Sequence, residues 1–274
     1  MGKQWRSMLS GLVVVTLSAL PSIVSAQGSE RPPTINGHPN LNGIWQALSS
    51  AHWNLEAHPA RALDDFWQLG SLAAIPAGRS VVVGGRIPYL PEALTKRDEN
   101  RAGWPRTDPE AACYLPGIPR ASYMPYPFEI IQGDSDIFVV YAYASANRTI
   151  HVDPANQRTY DEVPVDTWMG WSNGNWEGDT LVVETIAQDD RTWLDRSGNH
   201  HSYMMTVTER FTPITPNHIQ YEATIEDPLV YSEPWTIRLP LYRDVSENAE
   251  LLDYKCVEFS ENLLYGEYLL NPPD

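Results

Sequence analysis

From Pro125 to the C-terminus the chain is a succession of short runs rich in β-branched and aromatic residues, separated by turn residues at hairpin spacing. Phe128–Gln132, Ile137–Tyr143, Arg148–Val152, Met169–Trp176, Thr180–Ile186, Tyr203–Thr212, His218–Glu226, Trp235–Tyr242 and Leu251–Glu258 read as about nine strands. Glu177-Gly178-Asp179 supplies a tight turn, with glycine available for positive φ. No helical periodicity separates the runs, which excludes the strand–helix alternation of a parallel α/β fold. The pattern predicts a mainly β fold: an antiparallel β-barrel or sandwich of about nine strands over residues 126–274.

The front of the chain has a different character. Residues 27–125 are Pro-rich, with two short helices expected at Ala62–Leu69 and at Glu92–Ala102, the latter a charged surface helix following Pro91. Gly43-Ile44-Trp45 can open a further strand. This front is too long for a simple loop, and its tryptophans need a surface to pack on. It is expected to wrap the β region as one structural unit.

The first 26 residues read as a signal peptide. Lys3 and Arg6 precede an apolar run, Leu9–Leu20, and Val24-Ser25-Ala26 forms a small-residue cleavage site before Gln27. The run falls short of the roughly 20 residues that span a bilayer, so no stable membrane insertion is expected after cleavage. The mature protein is then periplasmic or secreted. In such an oxidising compartment Cys113 and Cys256 are expected to form a disulfide across the β region.

Charge and missing motifs narrow the function further. A formal net charge of −16 repels phosphate backbones, so no nucleic-acid partner is expected. The chain lacks a phosphate-cradling glycine loop, a dinucleotide fingerprint, a G-x-S-x-G elbow and H-E-x-x-H. No cofactor and no metal are expected. Ten Trp and fourteen Tyr against five Phe suit a ligand pocket or a partly wet surface.

Several blocks carry a resemblance. They are Asp108-Pro109-Glu110-Ala111 with Cys113, Pro116-Gly117 and Pro119-Arg120; Thr167-Trp168-Met169-Gly170; Trp176 to Val183; Asp190 to Asp195 with His201-Ser202; Val207 to Phe211; and Thr224 to Pro228 with Pro234-Trp235-Thr236. From about Leu41 to Cys256 the chain resembles a large, mostly uncharacterised family of exported bacterial proteins. The resemblance implies export and a β-rich fold, and supplies no reaction. His200 stands where that family usually has Pro, giving a His-His-Ser run.

The chemistry is read from the residues. The densest polar cluster, Asp189 to Ser202, lies on a connection between two expected strands, a common place for functional groups. His201 is the first candidate for general acid/base, because imidazole titrates near neutral pH. Asp195 or Asp190 would orient it. Glu209 is the second candidate: it shares a strand face with Met205, Val207 and Phe211, and is either functional there or paired with Arg148, Arg191 or Arg210. Glu184 has the same pattern. Trp193, Arg191, Trp168, Tyr221 and Trp235 are expected to bind the substrate, and His201, Glu209 and Asp190 or Asp195 to line one cavity with Trp193.

The leading reading is an exported cofactor-free acid–base enzyme, a lyase, isomerase or cyclase, acting on an apolar or aromatic small molecule. The alternative is a lipocalin-like periplasmic binding protein without catalysis, for which Gly43-x-Trp45 is a weak cue. An envelope interaction protein without a pocket is the third. A pocket combining aromatics with titratable groups separates the first from the others.

Overall fold

The computed structural model describes residues 34–63 and 74–258. The expected signal peptide lies outside the described residues, as does most of the expected helix Ala62–Leu69. Two short ribbons precede the main body: β1 (Thr34–Ile35) with β2 (His38–Pro39), and β4 (Arg61–Ala62) with β5 (Ala74–Ile75). Ala62 therefore belongs to a strand rather than a helix.

The main body is a closed ring of nine strands. These are β3 (Gly43–Ala47), β6 (Phe128–Gln132), β7 (Asp136–Tyr141), β8 (Asn147–His151) and β9 (Trp171–Glu177). The ring continues with β10 (Thr180–Ile186), β11 (Thr206–Thr215), β12 (His218–Glu226) and β13 (Trp235–Arg243). The order is β10-β11-β12-β13-β3-β6-β7-β8-β9, closing back on β10. Strand direction cannot alternate around an odd-membered ring, so one neighbouring pair must be parallel. That pair is β8 and β9, joined over only two positions, Ile150 to Ser172 and His151 to Asn173. The barrel is thus mixed rather than purely antiparallel, and residues 152–170 provide the long crossover that a parallel pair requires.

Two other expectations change. The ninth strand of the ring is β3, from the Pro-rich front, and not Leu251–Glu258. β3 fills the place between β13 and β6, burying Trp45 and Ala47. Residues 251–258 instead lie against the outside as irregular chain, with one bridge from Tyr254 to Tyr143. The Cys113–Cys256 disulfide, with Cα atoms 5.7 Å apart, and a stack of Tyr126, Tyr143 and Tyr254 hold them there. Glu184, on β10, faces outward to solvent.

The interior follows from strand alternation. Val207, Glu209 and Phe211 of β11, Ile219, Tyr221, Ala223 and Ile225 of β12, and Ile237, Leu239 and Leu241 of β13 are all buried. Each fully buried large apolar side chain stabilises by roughly 1.5–3 kcal/mol. The single helix among the described residues is α1 (Pro91–Gly103), which begins with Pro at its first turn as expected and buries Ala93 and Asn100.

One end of the barrel is covered by long connections. There β3 ends, β9 begins, β10 ends and β11 begins. Residues 48–63, 74–127 and 187–205 cover this end, and the 3₁₀ turn Arg120–Tyr123, buried at all four residues, belongs to that cover.

Candidate active-site cleft

The cover is fastened by buried polar groups, which fixes the geometry of everything mounted on it. Arg120 makes a two-armed pair with Asp108, both bonds 3.0 Å, and reaches Glu110 at 2.5 Å. Arg196 closes on the same Glu110 at 2.9 and 2.6 Å and lies 4.5 Å over the Trp53 ring. Burial alone would raise the Glu110 carboxyl, but Arg120 and Arg196 hold it well below the usual carboxylate range. His52 beside them is lowered to about 3, by burial and then by Arg196.

Asp195 is a second fastening. Fully buried, it accepts from the Leu55 backbone at 2.8 Å, the Ser197 backbone at 2.9 Å and the Asn199 amide side chain at 2.6 Å. It ties the 187–205 connection to the front segment. Asp195 therefore does not contact His201. Gly198, with φ +83°, lets α1 close in: a Cβ there would meet Arg97 O at 2.6 Å and Arg101 N at 2.7 Å. Asn100 donates to the Gly198 carbonyl at 3.2 Å.

Between α1, residues 106–114 and the 187–205 connection lies a cleft of about 810 Å³. Five of the residues singled out from sequence border it: Trp168, Asp190, Arg191, Trp193 and His201. Trp168 is stacked between Tyr114, 4.7 Å away at an interplanar angle of 11°, and the Arg191 guanidinium at 4.5 Å. Arg191 is itself held by Asp189. The result is a rigid flat wall. Trp193 and His200 bridge each other in antiparallel fashion, and Leu194 donates to the Asn199 carbonyl at 2.6 Å, so the connection doubles back as a small hairpin.

The two histidines differ. His201 is buried and both ring nitrogens are engaged. Nδ1 donates to the Ser202 carbonyl at 2.9 Å, which leaves Nε2 as acceptor for the Thr192 hydroxyl at 2.5 Å. Burial lowers its pKa, so it is neutral near pH 7. Its orienting groups are thus Thr192 and Ser202, not Asp190 or Asp195. His200 is half-buried, its Nδ1 is shielded from solvent, and its ring lies against the Gly198 backbone. Burial, then the neighbouring His201, lowers it to about 4. Its ring packs on Tyr89, its carbonyl accepts from Tyr231 at 2.5 Å, and its N–H donates to the Tyr89 hydroxyl at 3.4 Å. At neutral pH His200 is a fixed, neutral imidazole on the cleft border. The His-His run was the only signal of His200 in the sequence. Tyr114 and Thr192 carried none.

Three other candidates sit elsewhere. Glu209 is fully buried inside the barrel, held by Arg148 at 2.6 and 3.1 Å and by the Tyr221 hydroxyl at 2.8 Å. The Arg148 pairing anticipated as one option is the one formed, because Glu209 and Arg148 both fall on inward positions of the ring. Tyr221 packs on Phe211 in the same interior. Trp235 is buried edge-on against Tyr231, behind the Tyr89 and His200 layer. None of the three borders the cleft, so the expected cavity forms only in part: Asp190, Trp193 and His201 share it, and Glu209 and Asp195 do not.

No metal cluster of three or more His, Cys, Asp or Glu exists among the described residues. No protein-family model matches the chain, and no curated protein matches it.

Proposed function

We propose that the protein is an exported, cofactor-free acid–base enzyme, a lyase or isomerase, acting on a flat, largely apolar small molecule in the cleft beside His200. The observation that carries this reading is the meeting, on one cleft border, of two imidazoles, His200 and His201, and three aromatic rings, Tyr114, Trp168 and Trp193. The aromatic rings orient a planar substrate. The His200 imidazole removes a proton from a carbon of that substrate, and the resulting imidazolium returns it to a neighbouring carbon or to a leaving group. Lys96 and Arg106, which border the cleft and make no ion pair among the described residues, face the developing negative charge. His201, with both nitrogens engaged, is a positioning residue behind His200.

Export rests on the N-terminal pattern and agrees with the disulfide. Among the described residues no helix is long and apolar enough to cross a membrane. A lipocalin-like carrier holds its ligand in a barrel lumen; here that interior is filled by buried side chains, so a carrier too would have to use the cleft.

The test is untargeted conversion of small molecules from a cell extract by the full-length protein, followed by mass spectrometry. Wild type is expected to convert at least one compound. His200→Gln should slow it by about 10²–10⁴, the usual contribution of a general base, while ligand binding persists. Full turnover in His200→Gln, or binding without product in wild type, overturns the reading.

A further inference from the structure

Apart from the cleft, α1 and the front segment enclose a smaller cavity of about 290 Å³. Arg61 of β4 and Arg101 of α1 both line it, and no described Asp or Glu does. The β4–β5 ribbon sets Arg61 directly opposite Ile75, so the cation stands beside an apolar wall that Trp53, Ala57 and Pro59 continue. The cavity shares no lining residue with the cleft.

The two cations are under-compensated. The chain has 35 acidic against 19 basic side chains, so an arginine pair without a carboxylate is the exception here. Arg101 is half-buried and anchored: its Nε donates to the Ser197 carbonyl at 3.1 Å. Its two terminal nitrogens make no hydrogen bond among the described residues and stay open rather than shielded. Burial, then the like charges of Arg97 and Arg61, hold its guanidinium below the usual range. Asp195 and Asp98 attract it, but both are already occupied. Asp195 accepts from Leu55, Ser197 and Asn199, and Asp98 pairs with Arg97 at 2.7 Å. Arg61 is exposed and makes no ion pair among the described residues.

We propose that this cavity is a second ligand site, and that it takes a small monocarboxylate with a flat apolar body. The chemistry selects the class. The open end of the anchored Arg101 guanidinium offers two parallel donors, which match the two oxygens of a carboxylate. Arg61 adds a second positive charge at the rim. Asn54 Oδ1 already accepts from the Glu56 backbone at 3.0 Å, so its amide nitrogen is the group left to donate. The apolar wall then covers the body of the ligand. A bare tetrahedral anion such as phosphate would satisfy the arginines and leave that wall in water. The cavity volume suits a one-ring compound.

The probes are benzoate, its neutral counterpart benzamide, and inorganic phosphate, each titrated into the full-length protein by calorimetry. Benzoate should bind about tenfold more tightly than either of the others, the worth of one charge-assisted pair added to the apolar contact. Arg61→Gln, at an exposed position, should weaken benzoate about two- to fivefold and leave benzamide unchanged. Ala57→Trp, which fills the cavity from an exposed position, should abolish benzoate binding. Equal binding of benzoate and benzamide to wild type, preference for phosphate, absence of binding by any probe, or unchanged benzoate affinity in both variants each overturns the proposal. So does loss of benzoate binding in Arg106→Gln with retention in Ala57→Trp, which would place the carboxylate in the cleft.

Discussion

Around the arc from β9 to β13 each strand hydrogen-bonds its neighbour in sequence, and β10 to β13 turn mostly apolar side chains inward, whereas the segments covering the barrel, 48–63, 74–127 and 187–205, carry little ladder pairing and are fastened by charge. Many small, interchangeable contributions hold the first region. A few polar groups, none replaceable by its neighbours, hold the second: Arg120 with Asp108 and Glu110, Arg196 with Glu110, and Asp195 with its amide donors. The candidate cleft is built entirely on the second region and the crossover beside it. Its walls can change without disturbing the barrel, but only as far as the fastenings allow.

Breaking one fastening in each region is the sharpest probe of this contrast. Arg120→Ala strands the buried Asp108 carboxylate and leaves Glu110 to Arg196 alone, and Arg148→Ala strands Glu209; each should cost about 3–5 kcal/mol, the range for removing one partner of a buried ion pair. The expected difference is in where the loss appears. Hydrogen exchange should rise over 74–127 and 187–205 for Arg120→Ala while β10 to β13 stay protected, and rise throughout for Arg148→Ala. Uniform loss in both variants would make cover and barrel one cooperative unit. A smaller effect is expected from replacing Cys113 and Cys256 by Ser. The 143-residue separation gives about 4–5 kcal/mol in the chain-entropy model, and engineered losses are commonly nearer 2–4. Thermal denaturation with and without the bridge measures it, and protection should fall first in residues 251–258.

The same contrast explains what could be read in advance. β6, β10 and β12 match their expected bounds, because hairpin strands announce themselves by local alternation and turn residues. The place of β3 could not be read, since nothing in Gly43–Ala47 encodes a partner some 80 residues later in β6 and almost 200 later in β13. Leu251–Glu258 alternates like a strand, yet the ring was already closed. In the cleft, Trp168, Asp190, Arg191, Trp193 and His201 were legible as a local cluster. The inward pairing of Glu209 with Arg148 was legible only as one option among three. Asp195 was misread because its type suggests chemistry, while its environment of backbone amides makes it a tie between segments. His200 was not singled out, because its place on the cleft border comes from the packing of α1 and Tyr89 and leaves no local mark in the sequence.

Acid should separate the regions by a smaller margin. His52, in the cover, has its folded pKa depressed from 6.5 to about 3. An unfolded chain takes up that proton as pH falls below 6.5 while the folded one does not, so stability is full above 6.5 and declines down to about 3. Glu110, also depressed, adds to the loss only once pH falls into and below the carboxylate range. Denaturation between pH 7 and 5 should therefore show a loss of about 1–2 kcal/mol from His52, and His200, also lowered, adds to that loss in the same sense. His52→Gln should flatten that part of the curve. A curve with the same slope in His52→Gln would move the acid sensitivity out of the Arg120–Glu110–Arg196 cluster.

The smallest effect compares one hydroxyl in each region. Thr185, inside the barrel, pairs with Ser172 at 3.0 Å and approaches Arg148 at 3.5 Å; Thr192, in the cover, donates to His201 Nε2 at 2.5 Å. Replacing either by Val keeps the shape and removes one hydrogen bond, at about 1 kcal/mol each. The stability changes should be alike, but the imidazole nitrogen NMR signals should not. In Thr192→Val the Nδ1–H bond to the Ser202 carbonyl still fixes the ring, so His201 keeps its tautomer while the Nε2 signal moves to that of an unbonded acceptor. Gly117, whose added Cβ would lie 2.9 Å from Thr192 Oγ, leaves room for the Val methyl without forcing the ring aside. Thr185→Val should leave the His201 signals where they are. If it shifts them, the barrel interior and the cleft are mechanically connected, and the division drawn between the two regions fails at the place where function depends on it.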